Sequence, residues 1–191
     1  MLFLAVQFLD VLWAPFVLLG IEKVRIVPGF TKTNPLDLYY MPYTHGLPGA
    51  IGWSVLAAFL YQGIARPARR QSSMLVGLAV FSHWTLDFVV HRPDLPLYDN
   101  SAKVGLGLWN YPALAFGTEA ALLFGGMWLC LRGRARSAGT IVFGLVMLAI
   151  QAYIFFGPPP TSDRSMAWTA LGAYAVFALV IWWLQDRRAA A

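Results

Sequence analysis

The chain has 191 residues, of which 59% are hydrophobic and 12% charged, and its mean hydropathy is +0.60. A soluble domain has about 45–50% apolar residues, and a soluble core could not bury this excess, so the composition predicts an all-α integral membrane protein. The formal net charge is +5, but the basic residues lie in short segments between apolar stretches, which argues against nucleic-acid binding.

Six apolar stretches are each close to the roughly 20 residues that a helix needs to cross a bilayer. They predict a single domain, a bundle of about six transmembrane helices over residues 1–19, 46–65, 73–90, 106–131, 138–156 and 166–184. The first stretch is expected to be a retained span and not a signal peptide, because it lacks a basic start and is interrupted by Asp10. The two longer connections, 20–45 and 91–105, are predicted to lie on one side of the membrane.

The arginines in the short connections predict the orientation. Eight of them fall on one side: Arg66, Arg69, Arg70, Arg132, Arg134, Arg136, Arg187 and Arg188. The other side has six Lys and Arg residues, spread over longer loops and mixed with acidic residues. Because positive charge is enriched in cytoplasmic loops, both termini are predicted to be cytoplasmic.

Four ionisable residues lie inside the predicted spans, namely Asp10, His83, Asp87 and Glu119. Each costs about 2.5–3.5 kcal/mol on insertion scales, which makes each of them a candidate functional residue. The predicted topology places Asp10, His83 and Asp87 in the outer half of the membrane and Glu119 somewhat deeper. His45 falls close to the outer boundary.

The segment FSHWTLDFVVHRPD, residues 81–94, spaces His83, Asp87 and His91 four residues apart. On a helix all three share one face, and imidazole and carboxylate at this spacing can hold a metal ion. His91 falls at the aqueous edge, where a solvated loop histidine is expected. His45, from another helix, is therefore the preferred third ligand beside His83 and Asp87.

Two histidines and a carboxylate leave one position open on a tetrahedral zinc ion, which is typical of catalytic sites. The bound water would have its pKa lowered to about 7. A further carboxylate would act as the general base or would support a ligand, and Asp10 and Glu119 are the candidates for this catalytic role. The predicted cofactor is a divalent metal, zinc before others.

Two motifs carry a family resemblance. THGLPGA at 44–50 and GLAVFSHWTLD at 77–87 resemble the threonine-histidine and glycine-x-x-x-x-serine-histidine-x-x-x-aspartate motifs of the bacterial inner-membrane metal-dependent hydrolases. The resemblance covers about the first half of the chain. It implies His45, His83 and Asp87 as metal ligands, with Asp10 in place of the family's acidic cluster. The chain departs from the family in having MPY at 41–43 where a histidine-arginine-glycine run is common, and in lacking an aspartate-x-aspartate-histidine cluster.

The function predicted from the motifs and the polar cluster is a metal-dependent hydrolase that acts on a lipid-like ester or phosphoester near the outer leaflet. The alternative is a non-catalytic accessory subunit of a larger membrane complex, in which the polar residues only hydrogen-bond between helices. Aromatic residues near the outer boundary form either an interfacial belt or a pocket for lipid, quinone or pigment: Tyr39, Tyr40, Tyr43, Trp84, Tyr98, Trp109 and Tyr111. The expected partners are membrane lipids and, for an accessory subunit, other proteins.

Overall fold

Helices make up most of the computed structural model, which describes residues 2–64, 70–132 and 138–189, the last five by their backbone alone. Within these ranges the helices are α1 (Leu2–Val6), α2 (Phe8–Leu18), α3 (Leu47–Ile64), α4 (Arg70–Val90), α5 (Pro112–Leu131), α6 (Ala138–Phe156) and α7 (Asp163–Ala189). The connections hold four short strands, β1 (Lys23–Ile26), β2 (Leu36–Tyr40), β3 (Leu95–Tyr98) and β4 (Ser101–Val104), and a 3-10 helix, Leu108–Asn110. The protein is an all-α integral membrane protein, as its composition predicts.

Helices α3 to α7 are long and apolar enough to cross a membrane, and they correspond to the last five predicted spans. The start of α5 differs, because it begins at Pro112 and not at residue 106. Gly107 has a left-handed φ of 74° ahead of the 3-10 helix, and Pro112 occupies the first turn, where its missing N–H costs nothing. The apolar residues 106–111 therefore approach the helix without belonging to it, and the predicted start was wrong.

The first predicted span is divided between α1 and α2, which meet at Gln7. Helix α2 has 11 residues and is too short to cross a bilayer by itself. Residues 1–19 are apolar almost throughout, so hydropathy could not detect the interruption. The break has a consequence for the site, because it places the carbonyl group of Val6 beside α4.

Two antiparallel hairpins, β1–β2 and β3–β4, form what we call the loop cap, residues 20–45 and 91–105. The sequence predicted these connections as loops and did not predict the strands. The two hairpins contact each other, since Asn100 Nδ2 and Lys103 Nζ donate to the carbonyl oxygen of Tyr39 at 2.9 and 3.1 Å. The two long connections therefore lie together at the same end of the helices, as their predicted location on one side of the membrane requires.

Two clusters of buried apolar side chains hold the structure together. The cap core joins the loop cap to α2 and α7 and includes Trp13, Ala14, Val17, Val24, Leu38, Met41, Leu95 and Ala167. The helix core joins the first two helices to α3 and α4 and consists of Ala5, Leu9, Ala50, Val76 and Val80. Asp10 lies between Leu9 of the helix core and Trp13 of the cap core. The polar site is thus enclosed by apolar packing on both sides along α2.

Helices α3 and α4 pack closely because Gly77 has no side chain. A Cβ atom at this position would lie 3.1 Å from the carbonyl oxygen of Ser54 and 3.3 Å from Ala58 Cβ. Elsewhere the long helices expose large apolar side chains, such as Leu129, Phe156 and Trp182, which in a membrane would face lipid. Of the arginines that predict the orientation, Arg66, Arg69, Arg134 and Arg136 lie outside the described residues, as do the side chains of Arg187 and Arg188.

Candidate metal centre

Three separate segments bring four polar side chains together: Asp10 from α2, His45 from the turn before α3, and His83 and Asp87 from α4. His83 and Asp87 share a face because they are four residues apart on one helix. The turn that carries His45 depends on Gly46, where a Cβ atom would lie 2.3 Å from the carbonyl oxygen of Pro42. His45 is 3% exposed, so the turn holds its imidazole inside the protein.

The two imidazoles face both carboxylates through their Nε2 atoms. Asp10 Oδ1 lies 3.3 Å from His45 Nε2 and 3.4 Å from His83 Nε2. Asp87 Oδ2 lies 3.5 and 3.3 Å from the same two nitrogens. The ligand atoms of Asp10, His45 and His83 all lie within 4.8 Å of one another, close enough for one metal ion to bind all three.

The four nitrogen–oxygen distances of 3.3–3.5 Å are close to the spacing of two ligands on one ion, and three of the residues, Asp10, His45 and His83, form a set within 4.8 Å. Two ligands bound to zinc at about 2.0–2.1 Å, with a tetrahedral angle between them, are about 3.4 Å apart. Hydrogen bonds between nitrogen and oxygen are usually about 2.9 Å long. Among the described residues, the buried Asp87 Oδ2 atom has no hydrogen-bond partner. His83 Nε2 and Asp87 Oδ2, at 3.3 Å, do not form a short hydrogen bond with each other.

The Nδ1 atoms, which face away from the carboxylates, indicate which tautomer each neutral histidine adopts. His83 Nδ1 lies 2.9 Å from the carbonyl oxygen of Val6, which can only accept, so Nδ1 carries the proton. His45 Nδ1 lies 2.7 Å from Thr44 Oγ1, and the Thr44 hydroxyl donates to Glu22 at 2.6 Å, so here too Nδ1 donates. In the neutral imidazoles both Nε2 lone pairs then point toward the carboxylates. Metal-bound histidines commonly have their outer N–H held in this way by a carbonyl or a carboxylate.

Asp10 is held from its other side by α7, because Tyr174 donates its hydroxyl to Asp10 Oδ2 at 2.5 Å. The contact joins residues 164 positions apart in the chain. The side chains of Asp10 and Asp87 are 24% and 13% exposed, and the Asp87 Oδ2 atom that faces the histidines is itself buried. Helix α7 therefore supplies a hydrogen-bond donor to the site.

Glu119 forms its hydrogen bonds with residues outside this cluster. Its carboxylate accepts hydrogen bonds from Trp109 Nε1 at 3.2 Å and from Gln151 Nε2. No hydrogen bond or ion pair between described residues joins it to Asp10 or to the histidines. Of the two carboxylates predicted for the catalytic role, the structure brings Asp10 into the site and places Glu119 between α5, α6 and the 3-10 helix.

His91 is buried, at 4% exposure, and is not the solvated loop histidine that the sequence suggests. Its Nδ1 atom lies 2.9 Å from Asp94 Oδ1, and its ring packs against Trp109 with centroids 4.6 Å apart. Burial alone would lower the pKa of His91, but the hydrogen bond with Asp94 and the nearby carboxylate charges raise it above its usual value. His91 and Asp94 thus form a buried pair within the loop cap, directly after the end of α4.

Apart from the half-buried Tyr40, the predicted aromatic residues fall into two groups. Tyr39, Tyr43, Tyr98 and Tyr111 are exposed, as interfacial residues are. Trp84 instead donates to the carbonyl oxygen of His45 at 2.9 Å, and Trp109 donates to Glu119. Trp84 therefore helps to fix the turn that carries a candidate ligand, a role that an interfacial belt does not predict.

The sequence did not single out Glu22 or Tyr174. Glu22 lies in a long connection, where an acidic residue attracts no attention. Tyr174 lies in a predicted span without charged residues. Their contacts with the site depend on tertiary packing, and the only local signal was Thr44 directly before His45. No family model, curated protein or solved structure matches the chain. The resemblance to the metal-dependent hydrolases therefore rests on the two motifs.

Proposed function

We propose that the protein is a membrane-embedded metal-dependent hydrolase of the bacterial inner membrane. It binds a divalent transition metal, zinc before others, through His45, His83 and Asp10. Its substrate is an ester or phosphoester of a lipid near the outer leaflet. The observation that carries the proposal is the set of four nitrogen–oxygen distances of 3.3–3.5 Å between two imidazoles and two carboxylates.

Asp10 and Asp87 have different roles in this proposal. Asp10 completes the compact set of three ligands, and Tyr174 holds its other oxygen. Asp87 Oδ2, which has no hydrogen-bond partner among the described residues, faces the same nitrogens and is placed to accept a proton from a water molecule at the site. A bound metal would supply the acidity, by lowering the pKa of that water to about 7.

The location favours a substrate with one apolar and one polar part. The site lies where α2 and α4 meet the loop cap, with the apolar helix core on its other side. A lipid with its headgroup at the cap and its chains along the apolar helices would present its ester or phosphoester groups at this depth. A fully water-soluble substrate has no apolar part to match these surroundings.

The test is metal analysis of protein purified in mild detergent without chelators, followed by hydrolysis of fluorogenic ester and phosphodiester lipids. We expect about one equivalent of metal, activity that chelation removes and zinc restores, and loss of both metal and activity in His83→Gln. The Glu119→Gln variant is the matched control, because it alters an intramembrane carboxylate outside the cluster. Absence of stoichiometric metal from the wild-type protein would refute the proposal and favour the accessory-subunit alternative.

The proposed orientation, with both termini cytoplasmic, has a separate test. Cys130 is the only cysteine of the chain and is exposed near the end of α5. Because Cys130 lies within the apolar span, an Arg132→Cys variant in a Cys130→Ser background places the thiol just after it, and a membrane-impermeant maleimide should label that variant in inverted vesicles and not in intact cells. A Ser101→Cys variant in a Cys130→Ser background places the thiol in the loop cap and should give the opposite pattern. The reverse result for both would overturn the orientation.

A further inference from the structure

We infer that Glu22 is a positioning residue that acts through the Thr44 hydroxyl to hold His45 in the tautomer able to bind metal through Nε2. The inference rests on the proposed metal centre, and it assigns a function to a loop residue that touches no candidate ligand directly. Glu22 follows α2 in the loop cap, whereas Thr44 and His45 precede α3. The contact between them joins the two ends of the 20–45 connection.

Among the acidic side chains that the structure describes, Glu22 is the most deeply buried, at 1% exposure. No ion pair among the described residues involves it. Its compensation comes instead from hydrogen bonds, since Oε1 accepts from the backbone N–H groups of Tyr43 at 2.8 Å and Thr44 at 2.9 Å. A buried carboxylate is costly unless it is satisfied in this way. These hydrogen bonds hold the backbone of the two residues that precede His45.

The second oxygen of Glu22 determines the direction of the hydrogen bonds. Thr44 has one hydroxyl proton, and it donates that proton to Glu22 Oε2 at 2.6 Å. Toward His45 Nδ1, at 2.7 Å, the Thr44 oxygen can then only accept. His45 must donate from Nδ1, which leaves the lone pair of its neutral ring on Nε2, facing Asp10 and Asp87.

A Glu22→Gln substitution should reverse the donor–acceptor direction of the hydrogen bonds from residue 22 through Thr44 to His45 without changing the positions of the side chains. The two backbone N–H groups need an acceptor at the Oε1 position, so the amide oxygen must take that place and the NH2 group must face Thr44. The Thr44 oxygen would then accept from the amide and donate to His45 Nδ1. The proton of the imidazole would move to Nε2, where it blocks metal binding.

His83 provides an internal comparison. Its Nδ1 atom is held by the backbone carbonyl of Val6, which a side-chain substitution at position 22 does not alter. The chain has three histidines, so nitrogen NMR of histidine-labelled protein resolves a small set of ring signals. In metal-free protein, at a pH at which both rings are neutral, we expect Glu22→Gln to convert the His45 signals from the Nδ1–H to the Nε2–H tautomer and to leave His83 unchanged.

The second readout is zinc affinity, measured by competition with a chelator of known affinity. Glu22→Gln and Thr44→Val are expected to weaken binding by about 10–100-fold, as loss of an outer partner of a metal-bound histidine does. Thr44→Ser keeps the hydroxyl and should bind zinc like the wild type. Asp37→Asn is the matched control, because Asp37 is a buried carboxylate of the same cap that pairs with Arg25 at 2.6 Å and does not contact Thr44.

The outcomes separate this inference from the proposed function. If the His45 tautomer is the same in Glu22→Gln as in the wild type, or if Glu22→Gln and Thr44→Val both bind zinc normally, the inference is wrong. If the wild-type protein binds no metal, the proposed function fails. The tautomer in metal-free protein still decides whether Glu22 controls His45, because that measurement needs no ion.

Discussion

The most direct prediction concerns His83, because this side chain takes part in two of the four contacts between the imidazoles and the carboxylates. In the His83→Gln variant these contacts are lost, while a polar side chain remains in the buried position. We expect zinc to stabilise the wild-type protein against thermal unfolding and to have little effect on the variant. The reason is that a ligand stabilises the folded protein only in proportion to its binding.

The magnitude follows from this linkage. Zinc at a free concentration about 100 times its Kd stabilises the folded state by about 2.7 kcal/mol. Loss of an outer partner of a bound histidine already weakens metal binding by about 10–100-fold, so we assign about 100-fold to the loss of a ligand itself. The same zinc concentration then stabilises the variant by only about 0.4 kcal/mol. For a chain of 191 residues the difference corresponds to about 5–9 °C in Tm.

The assay is a thermal scan in detergent with and without zinc, on the wild type, His83→Gln and Glu119→Gln. Glu119→Gln should respond to zinc like the wild type, because Glu119 contacts Trp109 and Gln151 and not the cluster. Equal zinc stabilisation of the wild type and His83→Gln would refute the reasoning, because the ion would then bind elsewhere.

Three further predictions follow from the packing around the site. Asp87→Asn should retain much of the bound metal but lose hydrolysis, since its oxygen is proposed to accept a proton; equal loss of metal in Asp87→Asn and Asp10→Asn, measured by metal analysis, would contradict the separate roles. Tyr174→Phe removes the hydrogen bond to Asp10 and should weaken zinc binding by about 10-fold in the chelator competition, whereas unchanged affinity would exclude a supporting role. Gly77→Val should lower stability by about 1–3 kcal/mol in denaturation experiments, because its Cβ would press on the Ser54 carbonyl; wild-type stability would contradict the close packing of α3 and α4.

Much of the site could be predicted from local pattern. The four-residue spacing of His83 and Asp87 puts both side chains on one helix face regardless of the rest of the fold. The high cost of ionisable groups in lipid singled out Asp10 as well, and the threonine-histidine motif singled out His45. The structure brings Asp10, His45 and His83 together within 4.8 Å. The same cost argument also selected Glu119, which pairs with Trp109 and Gln151 instead.

The sequence by itself determined that this is a helical membrane protein, because its apolar content and the length of its apolar stretches leave no other way to satisfy the backbone in lipid. Only the tertiary structure decided what surrounds the site. Glu22 reaches Thr44 across 22 residues, and Tyr174 reaches Asp10 across 164. Such contacts depend on how the 20–45 connection folds back on itself and on how α7 packs against α2. The sequence pattern within one segment does not encode the position of that segment relative to another. The interruption at Gln7, which brings the Val6 carbonyl to His83, was hidden for a different reason, because residues 1–19 are apolar almost throughout.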